Sequence, residues 1–211
     1  MLLKTRYIGD AGIRGLLNQY ACPYPFHSVR AMMMGEIASP LMASPTAMIE
    51  SLWEGELPEF ETTEEAETFF GGLLGLWNHL ARYQDRSRSF NLVASRPPLD
   101  RKGLEHYCRM RVEEIVSLLE GFLQGEEDID LPSELAKRVV ALEDTAGMFA
   151  VVVQVLADET VTSDGRDLVE LREGLGNILE IANRECAGLV WEATDYRKSQ
   201  LSGTSPPTII H

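Results

Sequence analysis

The stretch TTEEAETFFGGLLGLWNHLARY, residues 62–83, decides the fold class. Thr62 stands three residues before Glu65, the spacing at which a threonine cap and a glutamate satisfy each other's backbone N–H groups at a helix start. Ala66, Phe69, Phe70, Leu73, Trp77, Leu80 and Tyr83 then recur at steps of three and four, which puts them on one helical face. Glu64, Glu65 and Glu67 fill the first turn and Arg82 and Arg86 follow the last, matching the helix dipole. Gly71, Gly72 and Gly75 would each cost about 1 kcal/mol relative to alanine if exposed. Three such residues in one helix predict a flank where another helix crosses closely.

The same period extends outward in both directions. Upstream, 10–20 reads as a helix with Asp10 as its cap and Ile13, Leu16, Leu17 and Tyr20 inward. Pro23 and Pro25 break it, and a second helix runs over 26–37. Ser44 caps a third that opens with Pro45 and carries Met48, Ile49, Leu52 and Trp53. Downstream, 85–98 is polar and proline-bearing and reads as a linker. Residues 99–124 form a long helix with Leu104, Cys108, Val112, Ile115, Leu119 and Phe122 inward, and Glu113, Glu114 and Glu120 on a solvated face. After the acidic loop 126–128, a helix over 132–157 buries Leu135, Val139, Leu142, Ala146, Phe149, Val153 and Leu156. Residues 163–165 cap a last helix, 166–198, whose seam (Leu168, Leu171, Leu175, Ile178, Ala182, Cys186, Leu189, Ala193, Tyr196) approaches a heptad. No two strand-like runs meet at a hairpin turn. The expectation is an all-α bundle of six or seven helices with a long C-terminal helix. Its parts are an N-terminal helical subdomain (1–86), a C-terminal bundle (99–198) and a flexible tail (199–211), the first two open to being one continuous domain. The length of the last seam points to a homodimer that shares it.

Charge and cysteine content exclude several classes of function. Among 211 residues, 19 Lys and Arg stand against 33 Asp and Glu, a net charge of −14, which opposes nucleic acid or an anionic membrane as main partner. Three cysteines make no disulfide framework and suit a reducing, cytoplasmic compartment. The most apolar stretch, Met148 to Leu156, falls short of the roughly 20 apolar residues a membrane span needs, and the N-terminus lacks a signal-like apolar core.

The spacing of reactive residues points to no catalytic residue, metal or cofactor. His27, His79, His106 and His211 are isolated, without the pairings that zinc or a helical di-iron site requires. Cys108 and Cys186 fall on apolar faces, where cysteine acts as a small hydrophobe, and no phosphate-binding glycine loop is present. Met32-Met33-Met34 is the unusual cluster. Methionine is flexible and polarizable enough to line an adaptable groove, although packing accounts for the same run.

Four segments together carry a resemblance. Residues 27–35 with Ser39-Pro40, the element from Met48 to Phe60 around Trp53-Glu54-Gly55-Glu56-Leu57-Pro58, the helix from Glu65 through Asn78 to Ala81, and Gly121-Phe122-Leu123-Gln124-Gly125 are similar to successive elements of the YecA/YgfB-like family of small bacterial helical proteins. The chain departs from that family at Ser28, in the residues before Gly121, and in lacking the cysteine-rich zinc tail of some members. The resemblance implies an all-helical fold of no established activity and carries no catalytic residues across.

The leading functional expectation is therefore a non-enzymatic, cytoplasmic binding or regulatory module that recognises a protein partner in a groove near Met32–Met34 and Trp53. Its candidate binding residues are His27, Met32, Met33, Met34, Trp53, Trp77, Asn78 and His79. The alternative is an enzyme or a small-ligand or metal binder whose site assembles from distant residues, with His27 and His79 converging near Glu54 or Glu56.

Overall fold

Helices start where a side chain can receive an unpaired backbone N–H. The computed structural model describes residues 5–41, 43–125, 130–158 and 165–203. In it Ser44 Oγ accepts from Ala47 N at 3.3 Å, Thr62 Oγ1 from Glu65 N at 3.1 Å, and Asp100 Oδ1 from Gly103 N at 2.8 Å. Glu65 reaches back one residue further than a capping box requires, accepting from Glu61 N at 2.9 Å. Asp10 is not a cap. The first helix begins at Gly9 without a side-chain cap, and the Asp10 carboxylate accepts the Tyr7 hydroxyl instead.

The described residues form seven α-helices and no strand, an all-α bundle: α1 Gly9–Gln19, α2 Phe26–Ala38, α3 Pro45–Ser51, α4 Thr63–Leu80, α5 Arg101–Leu123, α6 Ser133–Ala157 and α7 Gly165–Gly203. A 3-10 turn, Ala81–Gln84, extends α4. Helix α7 has 39 residues and is about 58 Å long at ~1.5 Å per residue. It continues through Ser199–Gly203, which the sequence assigned to a flexible tail. The acidic loop 126–128, residues 163–164 of the last cap and 204–211 lie outside the described residues.

Helix α5 holds the bundle together, with α2 packed on one flank and α6 on the other, while α7 lies along α6 and reaches α2. The α2–α5 contact is made backbone to backbone. A Cβ at Gly35 would stand 2.0 Å from Leu118 O, and one at Gly121 would stand 2.1 Å from Met32 O. The sequence placed its close helix crossing at Gly71, Gly72 and Gly75. There the Leu16 side chain of α1 comes within 3.0 Å of where a Cβ at Gly72 would stand. The N-terminal segment crosses α4 as well: Arg6 N donates to Gly71 O at 3.3 Å, and a Cβ at Gly75 would meet the Arg6 carbonyl at 2.3 Å.

The stretch 85–98 joins the two halves without dividing them. Phe90 and Leu92 are buried in the same core as Ile37, Leu73 and Leu118, so the chain boundary near 86–99 is not a break in the packing. Most of the α7 seam is met from within the chain. Leu175, Ala182, Cys186, Leu189 and Ala193 are buried, whereas Leu168, Leu171, Ile178 and Tyr196 are half-covered. Arg138 fastens α6 to α7 through Glu185 and through Glu192 at 2.8 Å.

Candidate functional site

Most of the residues singled out from the sequence are structural. Met33 and Met34 are fully buried, and Met32 is half-buried with its carbonyl against Gly121 of α5, so the methionine run packs in the core and does not form a groove. Trp53 is buried too: its Nε1 donates to the Tyr20 carbonyl at 2.8 Å, and its ring meets Phe69 edge-on at 5.0 Å. Trp77 belongs to the same core. Asn78 Nδ2 donates to Thr5 Oγ1 at 3.4 Å and His79 stacks on Tyr7 at 4.1 Å, so both pin the N-terminal segment. Burial, with Arg82 and Arg30 nearby, holds His79 below the ordinary imidazole pKa.

His27 and His79 are engaged by different partners, and the cavity that His27 lines is not lined by His79. His27 Nε2 bonds Glu113 Oε2 at 2.9 Å, while Glu54 and Glu56 are exposed beyond α3. Among the described residues no three His, Cys, Asp or Glu side chains are placed to hold a metal ion. Burial pushes the Cys108 thiol up to about 12 and raises Cys186 and Cys22 as well, so none of the three is an activated thiolate.

Two features escaped the sequence reading. The first is a buried ion pair. Arg111 and Glu114, both 0% exposed, bond each other inside the protein, and Glu114 also accepts from Val93 N at 2.7 Å. Arg111 donates to Ser95 Oγ at 2.5 Å and lies over the Tyr107 ring at 4.8 Å. Burial pushes the Glu114 carboxyl pKa up, and Arg111 and the Val93 N–H pull against it. Glu114 is thus not on a solvated face: with Arg111 it ties residues 93–95 to α5. The signal was present in the sequence, since positions 104, 108, 111, 115 and 118 follow one stripe and 114 joins it at a helical step from 111.

The second feature is an apolar face with nothing over it. Between Asp144 and Asp158 α6 carries no charge at all, although its outer side is in solvent. Met148 is 50% exposed, Val151 57% and Val155 48%. Beside them a groove of about 450 Å³ runs between α5 and α6. Its walls are Val112, Ala150, Val153 and Ala157, with Arg109, Glu113 and Gln154 along the edges. Val112, expected in the core, is half-buried here, and Val116 beyond it is also exposed. Helix α6 is the one described helix long and apolar enough to cross a membrane, but its other face, with Leu135, Leu142 and Phe149, is part of the core. Arg101 reaches the end of this face, donating to the Val155 carbonyl at 3.3 Å and the Leu156 carbonyl at 2.7 Å. The exposed apolar side chains before it are grouped in the way that interaction surfaces are.

Comparison with known proteins finds no significant match to a protein-family model, a curated protein or a solved structure.

Proposed function

We infer that this protein is a non-enzymatic binding module whose α5–α6 groove and adjoining α6 face receive an amphipathic helix of a partner protein. The observation that carries this reading is the uncharged run 145–157, exposed on α6 beside an open groove. Two parallel helix walls with an apolar floor accept a third helix that brings apolar side chains at i, i+3, i+4 and i+7. Glu113 lines the groove, and exposed Glu143 and Asp144 stand on α6 just before the uncharged run. The nearby cations are engaged, Arg109 by Glu105 at 2.7 Å and Arg101 by the Leu156 carbonyl at 2.7 Å, so the fitting helix carries basic residues at the margins of its apolar face. The same acidic residues disfavour a second copy, which would bring like charges together, and an anionic membrane surface. We propose with it a cytoplasmic setting and kinship with the YecA/YgfB-like family, both read from the sequence, since that resemblance brings helices and no catalytic residues.

The test is a fluorescence-anisotropy titration with a labelled Leu/Lys amphipathic peptide roughly 18 residues long, its Leu/Glu counterpart and a scrambled Leu/Lys control. The basic amphipathic peptide is expected to saturate with a Kd on the order of 10 μM. Val151→Asp should weaken it at least about tenfold at unchanged melting temperature. Absence of saturable binding, or equal binding of all three peptides, overturns the reading. A chain that sediments as a dimer and dissociates on Val151→Asp replaces it with self-association.

A further inference from the structure

We propose that a second site, the cavity between α1, the 20–25 turn and the start of α2, binds a small monocarboxylate with an apolar body. The cavity measures about 310 Å³, at the lower end of the roughly 300–1,000 Å³ of small-molecule sites. Its lining shares no residue with that of the α5–α6 groove, although Glu113 on the groove bonds His27 on the cavity.

Four polar side chains face this space: Arg14 and Asn18, one turn apart on α1, with Tyr24 and His27 across from them. Arg14 has its guanidinium carbon 4.7 Å from the centre of the Phe26 ring. In a chain with 33 acidic residues against 19 basic ones, Arg14 forms none of the ion pairs among the described residues. The guanidinium sits over the Phe26 ring and no carboxylate among the described residues pairs with it, so its N–H groups are open to a planar anion such as a carboxylate. The Asn18 amide and the Tyr24 hydroxyl have no side-chain hydrogen bond within the described protein, so both are available to the same ligand. His27 is held in place through Nε2 by Glu113, which leaves its other ring nitrogen unengaged.

The remaining lining is apolar. Leu17 and Phe26 continue the walls, and Val93 and Met110 close the side towards α5. A ligand that satisfied only the polar edge would leave these surfaces wet, so the site selects a hydrocarbon or aryl body attached to the charge. One guanidinium balances one negative charge. A phosphate dianion would find no second permanent cation here, inside a strongly acidic protein, and is the poorer fit.

Calorimetric titration of the full chain with 3-phenylpropanoate, its neutral amide and inorganic phosphate tests the assignment. The carboxylate is expected to bind saturably at one site, with the amide and phosphate each at least about tenfold weaker. Arg14 is exposed, so Arg14→Gln should keep the melting temperature. It should also cut carboxylate affinity about tenfold and leave the weak amide binding unchanged. No saturable carboxylate binding, an amide that binds as well as the acid, phosphate that binds more tightly, or an Arg14→Gln protein that binds normally would each overturn the proposal.

Discussion

Helix α5 is closed against α2 on one flank, whereas α6 on the other leaves a groove open beside it. Towards α2, Gly35 and Gly121 let two backbones touch, and no side chain fits between them. Towards α6, the groove lined by Val112, Ala150 and Ala157 stays empty, and the α6 face beyond it leaves Val151 and Val155 about half exposed. Both flanks are apolar, so hydrophobicity does not separate them. The difference lies in how closely the covering helix seats. On the α2 side backbone meets backbone and a strap is tied down at Arg111 and Glu114. On the other side α6 packs on α5 but leaves a groove between the two helices and, among the described residues, nothing over its own outer face. A flank covered by the chain's own helix serves stability. The groove left beside α6 is where we propose that a partner helix docks.

The largest effect is expected at the buried ion pair behind the closed flank. Glu114→Ala leaves the Arg111 guanidinium buried without its counter-charge, which should cost about 3–5 kcal/mol in urea unfolding. Replacing both residues together, Arg111→Met with Glu114→Leu, should recover much of that loss, because removing a whole buried pair avoids the uncompensated charge. A double variant as unstable as the single one would show that the bonds to Val93 and Ser95, rather than the charge pair, hold the strap. Next in size is Gly121→Ala. The added carbon would stand 2.1 Å from Met32 O, so α2 and α5 must move apart, at a cost of about 3 kcal/mol, the upper range for overpacking. An unchanged unfolding midpoint would mean that the two helices are not locked by this contact.

The helices were legible because their signals are local. The caps at Ser44 and Thr62 and the three- and four-residue apolar steps depend only on neighbours along the chain. What crosses between elements was less visible. Gly35 and Gly121 are single glycines inside apolar runs and attract less attention than the Gly71–Gly75 cluster, yet the tighter helix contact is theirs; proximity across 86 residues has no local trace. Glu114 was hidden by its neighbour: Glu113-Glu114 reads as an exposed pair, and only their phase relative to Ile115 and Leu118 separates the outer residue from the inner one. For α6 the apolar positions fill nearly the whole helix circumference from 145 to 157, so periodicity fails to tell the covered face from the bare one. The candidate groove near Met32 and Trp53 failed for a related reason, since large flexible side chains fill a core as readily as they line a cleft.

The smallest effect is the most direct contrast between the flanks, because it repeats the glycine-to-alanine change on the open side. Nothing lies within 4 Å of where a Cβ at Gly147 would stand, and its backbone is that of an ordinary helix. Gly147→Ala should therefore stabilise the protein by about 0.5–1 kcal/mol, through the restricted unfolded chain and the better helix propensity. In a chain of this length that corresponds to a rise of about 1–4 °C in melting temperature. The opposite signs at Gly121 and Gly147 would establish that one flank is occupied and the other vacant. Gly147 lies one turn from Val151, so the added methyl group also intrudes on the surface offered to a partner helix, and affinity for the Leu/Lys peptide should fall a few-fold while stability rises. If Gly147→Ala instead destabilised the isolated protein, the open flank would have to be covered in solution, and the contrast between the two sides of α5 would collapse.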